Sequence, residues 1–446
     1  MFATDRPRPP GPRSLPLLGH ARHLAADRLG FLADLAREYG DVSAFRVGPY
    51  RVWQFAHPDL VHQVLVTEAR RYRKSPILRR ARLVLGDGLL TAEGEHHRRH
   101  RRVLQEAFHS RAVAAYDTSM TRRAAEQADR WLPDTPVDAH EEAMRVTLLV
   151  AGETLLGTDL EQDVDTVAEA MADALSAYRL IFVPFGWLLQ RLPIGPMRRL
   201  QRARATLDEL IARTIAEKRT QPGQDLLSRL VWPGDGSTST ALSDSEIRDE
   251  ATTLLLAGHE TTASAVAFAM YLLARDPDLQ ARLHQEIDDV VGDRRVTADD
   301  LDALPTARGV FAESVRLFPP SWAIAREATV EHVVGGHRVA PGELVVLPQW
   351  VVHRDPRWWP DPLRCDPDRW DGANTQQRPK GAFFAFGGGT RQCIGQGFAE
   401  TEGPLVLVTM LHRWRLRLLA GDDVALDPLL TLRPRDGVWM VPRPRS

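Results

Sequence analysis

The chain has 446 residues, of which 43% are hydrophobic and 26% are charged, and its formal net charge is −2. That near-neutral balance argues against a nucleic-acid partner. The two cysteines are too few for a disulfide framework, no signal peptide opens the sequence, and no run approaches the roughly 20 apolar residues of a membrane span. We expect a cytoplasmic protein with one domain over 1–446, beginning with a Pro-rich arm at 1–16.

The first half of the chain predicts a series of helices and one β-hairpin. Alternation of apolar and polar residues in 42–47 and 51–55, on either side of Gly48-Pro49-Tyr50, predicts the hairpin. The segment 70–90 has no clear period and is expected to be irregular. Helical periodicity covers the segments 29–39, 58–67, 93–108, 111–131, 140–156, 163–180 and 196–218.

A long helix is predicted to begin after Ser243. Ser243 and Glu246 stand three apart, as in a capping box, and no helix-stopping residue follows until Asp276-Pro277. Some thirty residues at 1.5 Å each would span roughly 45 to 50 Å, enough to cross a domain. Further helices are predicted at 279–291 and 306–317, strands within 333–346, and hairpins between 411 and 441. The fold class expected is mainly α with a smaller β region.

The stretch from Phe383 to Glu400 carries the strongest chemical signal. Three glycines follow an aromatic run, and Arg391, Cys393 and an apolar helical pattern come next. Backbone N–H groups at such a turn, and the partial positive charge of a helix N-terminus, favour a thiolate. Cys393 is then a candidate metal ligand, for example to haem iron. On this stretch alone, a buried structural cysteine and a catalytic nucleophile stay open.

The long helix contains the run Ala257-Gly258-His259-Glu260-Thr261. Glycine costs about 1 kcal/mol relative to alanine inside a helix, and a flat ligand passing close to the backbone would explain it. Thr261 can donate a hydrogen bond to the carbonyl of Ala257 and open the helix locally. Glu260 beside Thr261 is an acid–alcohol pair that can carry protons into an apolar site. A packing glycine among ordinary polar residues is the alternative.

Phe386, Gly389, Arg391, Cys393 and Gly395 stand at the spacing F-x-x-G-x-R-x-C-x-G. This pattern resembles the haem-binding signature of the cytochrome P450 family. The resemblance implies that Cys393 is the proximal ligand of haem iron, that Arg391 meets a haem propionate and that Phe386 packs beside the sulfur. Gly389 and Gly395 would let the backbone approach the sulfur. The fold implied is the cytochrome P450 fold, in which a long central helix crosses the haem.

Two other segments are similar to motifs of the same family. The segment with Glu260 and Thr261 resembles its A-G-x-E-T motif, where oxygen is bound and protonated, and it places Ala257 against the haem. Arginine suits the propionates because its planar fork meets a carboxylate bidentately. The further positions that resemble propionate-binding residues of the family are His97, Arg101 and Arg326.

Glu313 and Arg316 lie three apart on a predicted helix and can pair across one turn. With Arg369 they resemble the family's E-x-x-R helix and the later arginine that closes a triad. The resemblance implies a structural role for all three, holding the loop that presents Cys393. The family more often has Glu and Phe around the later arginine, where this chain has Asp368 and Trp370.

The reaction implied by the resemblance is insertion of one oxygen atom from O2 into a C–H or C=C bond, with heme b as the cofactor. The resemblance is to soluble bacterial, actinomycete-type members. No flavin or ferredoxin module is recognisable, so ferredoxin and ferredoxin reductase are the expected electron donors. We expect a hydrophobic substrate, such as a terpenoid, since the substrate-contact positions by analogy are mostly apolar. They are Val84, Leu85, Leu89, Phe182, Phe185, Leu254, Trp322, Ala323, Ile324, Leu430 and Leu432.

Two other classes of protein would share Cys393. One is a haem-thiolate enzyme that uses peroxide or rearranges its substrate, although such enzymes usually lack the acid–alcohol pair that Glu260 and Thr261 form. The other is a non-catalytic haem-binding sensor or carrier. Thr261→Ala distinguishes these classes, because only a monooxygenase should then lose coupling between oxygen use and product.

Overall fold

The computed structural model describes residues 10–177, 195–232, 242–419 and 423–445, with all side chains in these ranges except those of residues 83, 84, 175 and 373–375. We number the α-helices of these ranges α1 to α18 in chain order. They are Ala21–Ala26, Arg28–Tyr39, Pro58–His62, Pro76–Arg80, Arg82–Leu85, Gly94–Gln105, Ser110–Ala114, Asp117–Ala128, Ala139–Ala151, Val164–Ala177, Gly195–Thr220, Leu226–Val231, Asp244–Arg275, Pro277–Val290, Pro305–Leu317, Gln349–Val352, Gly372–Gln377 and Gln396–Leu411.

The strands of the same ranges form four small sheets and are numbered β1 to β12. One sheet has five strands in the order β1-β2-β8-β5-β3, and another has three in the order β4-β12-β9. The remaining two are the pairs β6-β7 and β10-β11. The strands are Val42–Val47, Tyr50–Phe55, Tyr72–Lys74, Val137–Asp138, Ile324–Ala328, His332–Val334, His337–Val339, Leu344–Leu347, Trp414–Leu418, Leu426–Pro428, Leu432–Pro434 and Trp439–Pro444.

The predicted hairpin and most predicted helices are confirmed. β1 and β2 pair antiparallel with Val47 opposite Tyr50, and Gly48 takes the positive φ of +56° that this turn requires. The segment 70–90 was wrongly expected to be irregular, since it holds β3, α4 and α5. These elements are only three to five residues long, too short to show a period. In the fold, β3 pairs antiparallel with β5, and α4 and α5 contact each other.

Helix α13 is the long helix of the prediction and the centre of the helical core. It has 32 residues, Ser243 is its N-cap, and the capping box with Glu246 is present. It packs against α9, α15 and α18, so its buried residues lie on nearly every face. A helix surrounded in this way brings residues from its middle into the interior of the molecule, where the candidate site lies.

No helix among the described residues combines the length and apolarity that crossing a bilayer requires. This agrees with the sequence, in which no sufficiently long apolar run was found.

Candidate active site

Cys393 lies in the loop between the short 3₁₀ turn Gly389–Arg391 and the start of α18. The backbone N–H of Cys393 donates to the carbonyl of Phe386 over 2.8 Å, which closes the loop. Gly389 has a φ of +63°, and a Cβ there would stand 2.2 Å from the carbonyl oxygen of Leu65. Gly389 therefore permits close contact with another segment, whereas Gly395 alone lies beside the sulfur, at 4.0 Å from Sγ for a Cβ built there.

Cys393 opens into a cavity of about 1500 Å³ and is accessible from inside it. Burial raises the pKa of the thiol, and the backbone N–H of Gly395 opposes that shift without cancelling it. The expectation of a lowered pKa is therefore wrong for the chain alone, because desolvation outweighs the N–H groups of the turn. A metal ion bound to the sulfur would supply the missing charge and deprotonate it.

Five basic side chains line one part of the same cavity: Lys74, His97, Arg101, Arg326 and Arg391. The sequence singled out four of them and missed Lys74, which no motif marked. Arg101 also donates to the carbonyl of Gln392 over 2.7 Å and so connects α6 to the Cys393 loop. The structure thus brings together residues from β3, α6, β5 and the loop.

The charges of this group are unbalanced. Glu93 accepts a hydrogen bond from Arg391 at 2.5 Å, but the salt bridges of the described chain include none to Arg326. Burial and the nearby Arg391 lower the pKa of Arg326 to about 10. Burial likewise lowers the pKa of Lys74 to about 7, and Arg391 and Arg326 add to that shift. The cavity wall therefore carries an excess of positive charge that would favour an anionic ligand.

The middle of α13 lines the same cavity as Cys393. A Cβ on Gly258 would meet only Leu155, at an ordinary 3.6 Å, among the described atoms outside the helix backbone, so close packing does not explain this glycine. The predicted hydrogen bond is confirmed: Thr261 Oγ1 donates to the carbonyl of Ala257 over 2.7 Å. Gly258, Ala257 and Thr261 all line the cavity.

Glu260 also lines the cavity, although its side chain is almost fully buried. Burial raises its pKa, while a hydrogen bond from Thr431 and the charge of Arg433 oppose the shift. Thr431 Oγ1 donates to Glu260 Oε1 over 2.8 Å, and Arg433 Nη1 lies 3.8 Å from the same oxygen. Arg433 is partly exposed and also pairs with Asp427, so polar groups connect Glu260 to the surface.

The family model described as Cytochrome P450 matches residues 9–439 of this chain. The chain belongs to the cytochrome P450 family. Its fold is that of the family: the crystal structure of a cytochrome P450DA heme domain superimposes with a TM-score of 0.89 at 28% identity, covering 98% of both chains.

Curated relatives give the same family and an enzymatic activity. Cyclooctatin synthase of Streptomyces melanosporofaciens is 38% identical over 97% of this chain and 95% of its own length. Cyclooctat-9-en-7-ol 5-monooxygenase of the same organism is 36% identical, covering 93% and 90%. Pentalenene oxygenase of Streptomyces avermitilis is 33% identical, covering 94% of each chain. The protein is a cytochrome P450 monooxygenase of the bacterial, actinomycete type.

The prosthetic group implied by the family is a haem with a thiolate ligand to its iron. Haem carries two carboxylates, and the surplus of cations around Arg326 and Lys74 suits them. A thiol that opens into the cavity, and a glycine of α13 with open space beside it in the same cavity, suit a flat metal-containing ring. The residues of this P450 therefore fit the group.

The triad predicted around Glu313 is assembled next to the Cys393 loop. Arg316 Nε donates to Glu313 Oε1 over 2.6 Å, and Arg369 Nε lies 3.6 Å from Glu313 Oε2. Trp370, one of the two residues that depart from the family pattern, donates its indole N–H to Glu313 over 3.0 Å. The departure therefore adds a hydrogen bond to the triad and leaves it intact.

His353 joins this triad to the loop. Its carbonyl accepts a hydrogen bond from Arg316 over 2.8 Å, and its ring Nε2 accepts one from the backbone N–H of Phe384 over 3.1 Å. Complete burial lowers the pKa of His353 well below its usual value, which keeps Nε2 available as an acceptor. Sequence analysis missed His353, since nothing in its local pattern distinguishes it.

Most of the predicted substrate positions line the cavity. Leu432 does not: its side chain is fully buried elsewhere, and its N–H donates to the carbonyl of Pro320. Strand β11 begins at Leu432, whereas Leu430 and Thr431 precede the strand and line the cavity. Phe182, Phe185 and the side chain of Val84 lie outside the described part. The positions that line the cavity are Leu85, Leu89, Leu254, Trp322, Ala323, Ile324 and Leu430.

Proposed function

We propose that this P450 inserts one oxygen atom from O2 into an apolar small molecule, a terpenoid, and that Cys393 is the thiolate ligand of its heme b. The observation that carries the proposal is that Cys393 and the five basic side chains open into one cavity. When bound, the haem supplies oxygen activation. The protein supplies the ligand sulfur, the cations for the propionates, proton-carrying groups and an apolar binding space.

In this proposal, His97, Arg101, Arg326 and Arg391 bind the propionates, and Lys74 joins them. Burial lowers the pKa of His97 to about 3, and nearby cations add to the shift. A neutral His97 would donate one N–H to a propionate oxygen without adding charge. Arg326 would gain the acidic partner that it lacks among the described residues.

Glu260 and Thr261 are proposed to move protons. Burial raises the pKa of the Glu260 carboxyl, so it keeps its proton to a higher pH than an exposed glutamate does and can pass that proton into the cavity. Thr261, bound to the carbonyl of Ala257, holds its hydroxyl at the cavity wall. Thr431 and Arg433 would return a proton to Glu260 from the surface.

The terpenoid proposal rests on the cavity wall and on the relatives. The cavity wall is mostly apolar and includes Leu89, Leu254, Ile324 and Leu430. By their names, two relatives act on pentalenene and on cyclooctat-9-en-7-ol, an olefin and an unsaturated alcohol by nomenclature. Ferredoxin and ferredoxin reductase are the proposed electron donors.

The first experiment is the absorption spectrum of the dithionite-reduced protein with carbon monoxide. A red-shifted Soret band is expected, because a thiolate ligand donates electron density to iron. Cys393→His should keep the haem and lose the shift, while Cys365→Ser, which alters the other cysteine, should keep both. A haem band at the unshifted position in the parent protein would contradict the thiolate assignment.

A second experiment separates monooxygenation from peroxide use and from non-catalytic haem binding. Terpenoids that shift the haem spin state on binding are first selected. Thr261→Ala is then compared with the parent for product formed per O2 consumed, with electrons from a ferredoxin and its reductase. We expect a lower ratio and more released peroxide; an unchanged ratio would contradict the proton role of Thr261.

A further inference from the structure

Helix α6 presents side chains to two different places. His97 and Arg101 line the cavity, whereas His96 and His100 are absent from the cavity lining of the described chain. Each pair is spaced four residues apart and therefore shares one face of the helix. The face with His96 and His100 lies against the first turns of α13.

The first turns of α13 present Glu246 and Glu250, again four residues apart. Glu246 Oε1 lies 3.3 Å from His100 Nε2 and 3.7 Å from His96 Nδ1. Ligand atoms of His96, His100 and Glu246 all lie within 4.8 Å of one another. Zinc bonds of about 2.0–2.2 Å at tetrahedral angles would separate such atoms by about 3.3–3.6 Å. The two distances to Glu246 lie within or close to this range, and the two histidine nitrogens would need to approach each other by up to about 1.2 Å.

The second ring nitrogen of each histidine already has a partner of the kind that accompanies metal ligation. His100 Nδ1 contacts a carboxylate oxygen of Glu250, and His96 Nε2 lies 3.1 Å from the backbone carbonyl oxygen of Asp87. Metal-binding histidines usually donate the other N–H to a carboxylate or a carbonyl, which fixes the tautomer and the ring plane. Both rings are therefore oriented with one nitrogen facing Glu246.

Glu246 is held in place by the capping box. Its Oε2 accepts hydrogen bonds from the backbone N–H and the hydroxyl of Ser243 at 2.8 and 2.9 Å, which leaves Oε1 directed at the histidines. Burial alone would raise its pKa, but the hydrogen bonds from Ser243 and His100 lower it to about 2. The carboxylate is thus ionised, oriented and close to two imidazoles.

We propose that His96, His100 and Glu246 bind a divalent transition-metal ion, with zinc the best match. Imidazole and carboxylate ligands suit zinc and its neighbours, and three protein ligands leave a fourth position for water. Glu250 and Asp87 orient the ligands from behind. The ion would fasten α6, which carries His97 and Arg101 to the cavity wall, to the start of α13. This site does not depend on the proposed function.

Arg99 would compete with the metal ion for Glu246. Its guanidinium contacts Glu246 Oε1, the same oxygen that would bind the ion. The Arg99 side chain is 31% exposed, so it can turn into solvent when an ion arrives. Removing this cation should strengthen metal binding, whereas removing a ligand should weaken it. The proposal therefore predicts that two substitutions on α6 change the affinity for zinc in opposite directions, one at Arg99 and one at His96.

The test uses the haem-loaded protein, freed of loose metal by a chelator and titrated with Zn²⁺ alone in an isothermal calorimeter. Elemental analysis after gel filtration then gives the ratio of zinc to haem iron. We expect one zinc per iron, a dissociation constant at least tenfold weaker for His96→Ala and Glu246→Gln, and a tighter one for Arg99→Ala. Gln at position 246 keeps a capping-box residue, so the start of α13 should be preserved.

The matched control is His109→Ala, an exposed histidine just beyond α6, because the chain has 15 histidines and weak surface binding is expected. Zinc should raise the thermal unfolding temperature of the parent and of the control, but not that of His96→Ala. A parent that binds zinc no better than His96→Ala and Glu246→Gln, or an Arg99→Ala variant that binds more weakly than the parent, would overturn the proposal.

Discussion

Two arginines far from bulk solvent, Arg316 and Arg326, meet burial in different ways. Arg316 donates to both oxygens of Glu313 and to three backbone carbonyls, those of His353, Pro362 and Arg364. Among the described residues, Arg326 donates only to the backbone carbonyl of its neighbour Ala325. The N–H donors of Arg316 are therefore all satisfied within the chain, whereas Arg326 faces the cavity without an acidic partner among the described residues.

This difference distinguishes buried charged side chains that stabilise the fold from those that are available to bind a ligand. A buried charge without a counter-charge is costly, so it persists where something outside the chain compensates it. Arg316 is connected to the Cys393 loop through His353, whereas Arg326 lies on the cavity wall. Substitutions at the two positions should therefore affect different measurements.

The largest effect is expected for Arg316→Met, which would leave Glu313 buried without its main counter-charge. Breaking such a pair costs about 3–5 kcal/mol, and the three carbonyls would lose their donor as well. The measurement is urea unfolding of the haem-loaded protein, followed by circular dichroism. Arg282→Met is the control, because its pair with Asp368 is half-exposed and should contribute less than about 1 kcal/mol. Equal destabilisation by both substitutions would contradict the distinction.

A smaller effect of a different kind is expected for Arg326→Met. Folding stability should hardly fall, because no acidic partner in the described chain loses its cation, but haem should be released faster. A hydrogen bond to a charged group contributes about 1.5–3 kcal/mol, which corresponds to roughly 10–100-fold. The measurement is the rate of haem transfer to a haem-scavenging protein.

Haem with both carboxylates esterified is the control for that experiment. The parent and Arg326→Met should release the esterified haem at the same rate, since the ester cannot pair with a guanidinium as a carboxylate does. A difference that persists with the ester would assign Arg326 a packing role instead.

The contacts that the sequence could predict are those between residues that lie close together along the chain. Ser243 with Glu246, Glu313 with Arg316, and Thr261 with Ala257 are each three or four residues apart, so helical geometry alone brings them together. The family resemblance added Arg326 and Arg369, and it selected the haem-ligand role of Cys393 among the alternatives. These local pairs account for the start of the long helix, two of the three triad residues and part of the cavity face of α13.

The contacts that sequence reasoning missed join segments that lie far apart. Glu260 and Thr431 are 171 residues apart, and Glu93 and Arg391 are 298 apart. No local period encodes such neighbours. The pKa of the Cys393 thiol was misjudged for the same reason, because its burial depends on the cavity walls that distant segments build.

Glu402, within α18, shows a third way to bury a charged group, which is to neutralise it. It is fully buried, and neither carboxyl oxygen has a hydrogen-bond partner of ordinary geometry among the described residues. Burial raises its pKa from 4.5 to about 8, and the nearby hydroxyl of Thr262 opposes the shift only in part. The folded chain therefore keeps a proton on Glu402 at neutral pH that the unfolded chain releases.

This shift in the pKa of Glu402 determines how the stability of the fold changes with pH. Because the folded-state pKa lies above the unfolded value, the contribution of Glu402 to stability is fully present below pH 4.5 and is lost as the pH rises toward 8. Glu402→Gln mimics the protonated side chain and should remove this slope. Between pH 6 and pH 7, the difference in unfolding free energy between variant and parent should move by about 1.4 kcal/mol in favour of the variant. Glu402→Leu should remove the same slope, and parallel pH profiles for parent and both variants would show that Glu402 does not titrate in this window.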